Sequence, residues 1–94
     1  MKKQFKQYLI ERGYSQYTPS GKPSTVYDYI KRIDKVCEWE NVCWCKLKSN
    51  IHCILPKYDI GGAYENLGNI SHKAVINALR RFYEFAQQDN RKKE

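Results

Sequence analysis

Long apolar runs are missing from this sequence, and their absence removes one whole class of protein. None of its 94 residues belongs to a stretch approaching the roughly 18 consecutive apolar positions of a membrane-spanning helix. Lys2 and Lys3 are not followed by the apolar core of a secretory signal, so a cytoplasmic location is expected. Acidic residues are also scarce. Against 17 Lys and Arg stand 10 Asp and Glu, a formal charge of +7. That excess suits a partner with regularly spaced negative charge, such as nucleic acid, and the plainer alternative is a solubilising surface. Part of the charge sits in the terminal runs Lys2-Lys3 and Arg91-Lys92-Lys93, which read as solvated ends.

Enzyme signatures are missing as well. There is no Gly-rich phosphate loop followed by Lys, no His-Glu metal helix and no Ser nucleophile elbow. With so short a chain, an independent enzyme is not expected, nor is a cofactor. The four cysteines, Cys37, Cys43, Cys45 and Cys53, form no Cys-x-x-Cys arm. In a reducing compartment they read as buried thiols. A zinc site joining them to His52 is disfavoured, because Cys43 and Cys45 would diverge on a helix.

What is present is enough for one core. Hydrophobic residues make up 41% and aromatics 14%, which supports a single folded domain over 1–94 despite a mean hydropathy of -0.79. Phe5, Tyr8, Leu9 and Arg12 recur at helical spacing from Lys2 to Arg12, with Gly13 as the stop and Phe5 and Leu9 facing the core. Ser15, Thr18, Pro19, Ser20, Gly21 and Pro23 then make a polar, flexible connection. A second helix spans about 24 to 40, started by Pro23 or capped by Ser24. Val26, Tyr29, Ile30, Ile33, Val36 and Cys37 form its seam, and Tyr27, Lys31, Arg32 and Lys35 point outward.

Trp44, Leu47, Ile51, Ile54 and Leu55 predict one buried stripe, which Pro56 should end or kink, with the regular helix stopping near Leu55 or Lys57. Gly61-Gly62 offers a left-handed cap, and Ala63 to Gly68 a short helical turn. The last helix has the clearest plan: Ser71 as cap, Ile70 and Val75 as a hydrophobic staple, and a seam of Val75, Ala78, Leu79, Phe82 and Phe85. Its other face carries Lys73, Asn77, Arg80, Arg81 and Glu84. Asn77 is notable because Asn can hydrogen-bond twice to an adenine edge.

Two helices that each join an apolar seam to a basic free face, Ser24 to Val36 and Asn69 to Ala86, resemble the N-terminal core-binding module of tyrosine recombinases and phage integrases. The resemblance covers nearly the whole chain. It implies an all-α, SAM-like bundle of about four helices that closes over duplex DNA, touching mostly phosphates during integration or recombination. The contact residues it implies are Thr25, Tyr27, Lys31 and Lys35 on one helix, with His72, Lys73, Asn77, Arg80 and Arg81 on the other. The family's chemistry resides in a separate catalytic domain with a nucleophilic Tyr, for which this chain has no room. Its His-x-x-Arg pair is absent too: Leu55 follows His52 by three, and Val75 follows His72 by three. No catalysis is therefore expected, and the partners are duplex DNA and either a catalytic recombinase domain or another mobile-element protein. Two other functions compete. A protein-interaction module, acting as an accessory factor or inhibitor, would use Trp39, Trp44 and Tyr64 as anchors. RNA binding would use the same basic faces, without the aromatic sheet or glycine clamp loop common in RNA binders.

Overall fold

Phe5, Tyr8 and Leu9 fall on one stripe of the first helix, α1 (Lys2–Glu11), and all three are buried. Steps of three and four residues bring side chains to a single helical face. The computed structural model describes the backbone of residues 1–92 and the side chains of 1–70 and 72–88. Five helices follow: α2 (Thr25–Glu40), α3 (Trp44–Ser49), α4 (Ile51–Tyr58), α5 (Glu65–Gly68) and α6 (Ile70–Lys92). The all-α expectation holds, with no strand among the described residues. The helices among the described residues number six rather than about four, because two short ones, α3 and α5, join the longer set.

Helix α6 is the hub. It packs on each of the other five, most extensively on α2, while α1 also lies along α2. Its buried stripe of Val75, Ile76, Ala78, Leu79, Phe82, Phe85 and Ala86 meets Phe5, Leu9, Val26, Ile33, Val36 and Leu47. Phe5 sits edge-on to Phe82 with ring centroids 5.2 Å apart, and Trp44 meets Phe82 edge-on at 5.5 Å. Those are arrangements that aromatic quadrupoles favour. In α2, Val26, Ile33, Val36 and Cys37 are buried, whereas Tyr29 and Ile30 are only half-buried.

The connection between α1 and α2 departs from expectation. It is cross-bonded: the Thr18 N–H donates to the Lys22 carbonyl at 2.8 Å, Gly21 N–H to Thr18 at 2.9 Å, and Ser24 N–H to Gln16 at 2.9 Å. Tyr17 and Pro23 form an isolated antiparallel bridge. Ser24 does occupy the N-cap of α2, but its hydroxyl lies 2.7 Å from that of Ser15 rather than on the helix. The helix is capped instead by the loop backbone, since the Ser15 carbonyl accepts the Val26 N–H at 3.0 Å.

Residues 44–58 also differ. One residue, Asn50, ends α3 and begins α4. Its N–H donates to Lys46 at 3.1 Å, its side chain donates to the same carbonyl at 3.2 Å, and its own carbonyl accepts from Cys53 and Ile54 at 2.9 Å each. Pro56 stands inside α4, which runs to Tyr58, one residue beyond Lys57. The carbonyl it cannot satisfy belongs to His52, an exposed residue that water can serve.

At the corner leading to α6, Gly61 adopts the left-handed φ of 84°. A Cβ on Gly62 would collide with the Pro56 and Lys57 carbonyls, and one on Gly68 with the Tyr58 carbonyl. The start of α6 carries His72 and Lys73 at φ of 57° and 68°. The Ser71 cap lies outside the described side chains. The staple does not form as expected: Val75 is buried, but Ile70 is 39% exposed and lies beside α2.

The cysteines are a further correction. Only Cys37 is buried; Cys43, Cys45 and Cys53 are exposed. Cys43 and Cys45 flank Trp44, which takes the inward position, and Cys53 lies off the Ile51–Ile54 stripe. Burial, with Asp34 and Cys43 nearby, pushes the Cys37 thiol up to about 11. No group of three or more metal-binding side chains gathers among the described residues. No described helix is long and apolar enough to cross a membrane.

Candidate nucleic-acid interface

Successive turns of α2 bring Tyr27, Lys31 and Lys35 to one side, four residues apart. Lys31 and Lys35 are exposed and Tyr27 is half-buried. Lys35 reaches Glu38 at 3.6 Å, a solvent-exposed pair of small energetic consequence. Lys31 has no carboxylate partner among the described residues. Thr25 sits about 120° around the helix from Lys31, toward the α1–α2 turn, so it stands apart from this track.

The beginning of α6 comes to the same surface. Asp28, Lys31, Arg32, Lys35, Trp39 and Ile70 line one depression of about 240 Å³. His72 and Lys73, both exposed, follow Ile70 within one turn. The structure thus brings the α2 lysines and the start of α6 into one neighbourhood.

Farther along α6 the basic face divides. Arg80 leans toward α4 and pairs with Asp59 at 2.9 Å. The Asp59 carboxyl is held below its ordinary value by the Ile60 N–H at 2.8 Å and by Arg80 and Lys73, against a burial effect. Arg81 turns to the other side, donating to the Tyr14 hydroxyl at 3.1 Å and pairing with Glu84 at 2.8 Å. Burial works against the Arg81 charge, yet Tyr14 and Glu84 outweigh it and raise its pKa. Asn77 lies between the two arginines, half-buried. The four residues Lys73, Asn77, Arg80 and Arg81 therefore do not form one free face.

Glu84 is the centre of a small network, accepting from the Tyr8 hydroxyl at 2.9 Å and facing Arg12 at 3.7 Å. Burial and then Glu84 raise the Tyr8 pKa. These contacts tie α1 to α6.

Two residues outside the sequence-derived set adjoin the track. Lys6 of α1 places its ammonium 5.0 Å from the centre of the Tyr27 ring, and the Tyr17 hydroxyl lies 3.3 Å from that of Tyr27. The two rings are 5.5 Å apart. Lys6 was legible as a polar neighbour of the Phe5–Leu9 stripe, but nothing in the spacing joins Tyr17 to Tyr27. That pairing comes from the bridge between Tyr17 and Pro23.

The aromatic anchors divide as well. Trp39 stacks on Tyr58 with centroids 6.1 Å apart, and the Trp44 ring N–H donates to Asp34 at 2.7 Å. Tyr64 is 44% exposed, close to Ile60 at 78%. No family model, curated protein or solved structure matches this chain.

Proposed function

We propose that the chain is a duplex-DNA-binding module with the SAM-like arrangement of a recombinase core-binding domain, serving integration or recombination without performing the chemistry. The observation that carries this reading is the α2 track of Tyr27, Lys31 and Lys35, with Lys6 beside it and Lys31 without a carboxylate partner among the described residues. Phosphates supply most protein–DNA contacts, and such a track meets them without reading bases. His72 and Lys73 extend it. Arg80 and Arg81 join only where a phosphate displaces Asp59 or Glu84.

The test is fluorescence anisotropy of a labelled mixed-sequence duplex across a salt series. The expected dissociation constant is about 10⁻⁴ to 10⁻⁶ M at physiological salt, weakening steeply as salt rises. Lys31→Glu with Lys35→Glu abolishes binding, while Lys46→Glu on α3 reports the generic effect of losing charge. Absence of binding at low salt, or full binding by the α2 variant, overturns the proposal. A protein-docking reading has the exposed Ile60 and Tyr64 in its favour. A partner captured through them would survive the α2 charge reversal.

A further inference from the structure

Lys6, Tyr17 and Tyr27 come from three separate pieces of chain: α1, the cross-bonded turn and α2. Their polar ends converge at the surface, where Tyr17 is 56% exposed. Bonding to Tyr27 raises the pKa values of both Lys6 and Tyr17, whereas Tyr27 is lowered, by Lys6 first and then Tyr17. The Tyr17 and Tyr27 hydroxyls lie within hydrogen-bond reach of each other, and either can donate. The hydroxyl that accepts within this pair keeps its own O–H to donate outward, and the Lys6 ammonium carries three N–H donors. Lys6 has no carboxylate partner among the described residues. The cluster joins hydroxyl donors to a positive charge that no carboxylate among the described residues neutralises.

We propose that this cluster is a phosphate seat, in which one phosphodiester of a DNA strand accepts from the Tyr27 O–H and the Lys6 ammonium while Tyr17 braces Tyr27. The proposal rests on the DNA-binding reading and gives it a fixed end point. From Tyr27 to Lys35 the α2 track rises about 12 Å, at about 1.5 Å per residue. A DNA strand presents one phosphate per roughly 3.4 Å of axis, so the track spans about three to four phosphates, starting at the seat. A stacking platform for bases fits less well, because Lys6 already lies over the Tyr27 ring and Tyr17 lies against it.

The experiment compares duplex binding by the wild type, Tyr27→Phe, Tyr17→Phe with Tyr27→Phe, Tyr17→Ala and Lys6→Gln across a salt series, with circular dichroism melts as the folding control. Tyr27→Phe keeps the ring, so it should weaken binding about tenfold, as loss of a hydrogen bond to a charged group does, with the salt slope unchanged. Lys6→Gln should weaken binding and reduce the slope by about one. Wild-type affinity in the double Phe variant overturns the seat while leaving the DNA-binding reading in place. Loss confined to Tyr17→Ala also overturns it, in favour of ring stacking. No binding by the wild type overturns both.

Discussion

At the scale of single residues, formal charge and available charge are different quantities in this protein. Arg80 and Lys31 both read as outward cations, yet Arg80 is held by Asp59, 21 positions away, and Lys31 is not. Local spacing has no information about a partner at that separation, which is why the basic face of α6 looked continuous in the sequence. Arg81 is the same case, since Tyr14 lies 67 positions away. Buried acids give a residue-scale prediction. Burial raises the Cys37 thiol from an ordinary 9.0 to about 11. Burial and then Glu40 push the Tyr58 hydroxyl well above its ordinary 10.0. Both groups are favoured in their protonated form by folding, so their contribution is complete below the unfolded values and is lost as pH rises through the folded ones. Urea-unfolding midpoints should fall steadily from about pH 9 to about pH 11. A flat profile, or a Cys37→Ala, Tyr58→Phe variant with the same decline as the wild type, would contradict this assignment.

At the scale of elements, the helices carrying long periodic stripes were legible, because burial itself selects the spacing. Phe5 and Leu9, Val26, Ile33, Val36 and Cys37 of the second seam, and the Val75–Phe85 seam lie in the core, with Tyr29 and Ile30 half-buried at its edge. Breaks between elements were less legible. Asn50 separates α3 from α4 through its own hydrogen bonds while Leu47, Ile51 and Ile54 stay buried on either side, so the stripe continues across a discontinuity. Pro56 is tolerated because its cost falls on an exposed residue. The polar composition of residues 15–24 suggested mobility, but composition does not reveal that Thr18, Gly21, Ser24 and Val26 find backbone partners. The glycines of the α4–α6 corner yield the element-scale prediction. Gly68→Ala should destabilise by about 2 kcal/mol or more, because its methyl must displace the Tyr58 carbonyl. Gly13→Ala, with open space but a φ of 95°, should cost only about 1–2 kcal/mol of backbone strain. Chemical denaturation of the two variants gives the comparison, and equal losses would remove the close approach as the cause.

At the scale of the whole molecule, the extents of 38 × 36 × 21 Å describe a flattened body organised around α6. Its aromatic centre joins the first helix to the last: Phe5 touches Phe82, Phe85 and Trp44. A domain of this size has roughly 5–15 kcal/mol of stability, and truncating a buried Phe removes about 3–5 kcal/mol. Phe5→Ala should therefore lower the melting temperature by well over 10 °C or abolish a cooperative transition, measured by circular dichroism. A shift of a few degrees would mean that α1 is peripheral to the core.

The contact between Tyr8 and Glu84, 76 residues apart, has a consequence for how the protein is made. During synthesis α1 can pack on α2 soon after both are made, but it lacks its second packing surface until α6 follows. Until then its Phe5, Tyr8 and Leu9 stripe is only partly covered, a short apolar segment of the kind that chaperones recognise.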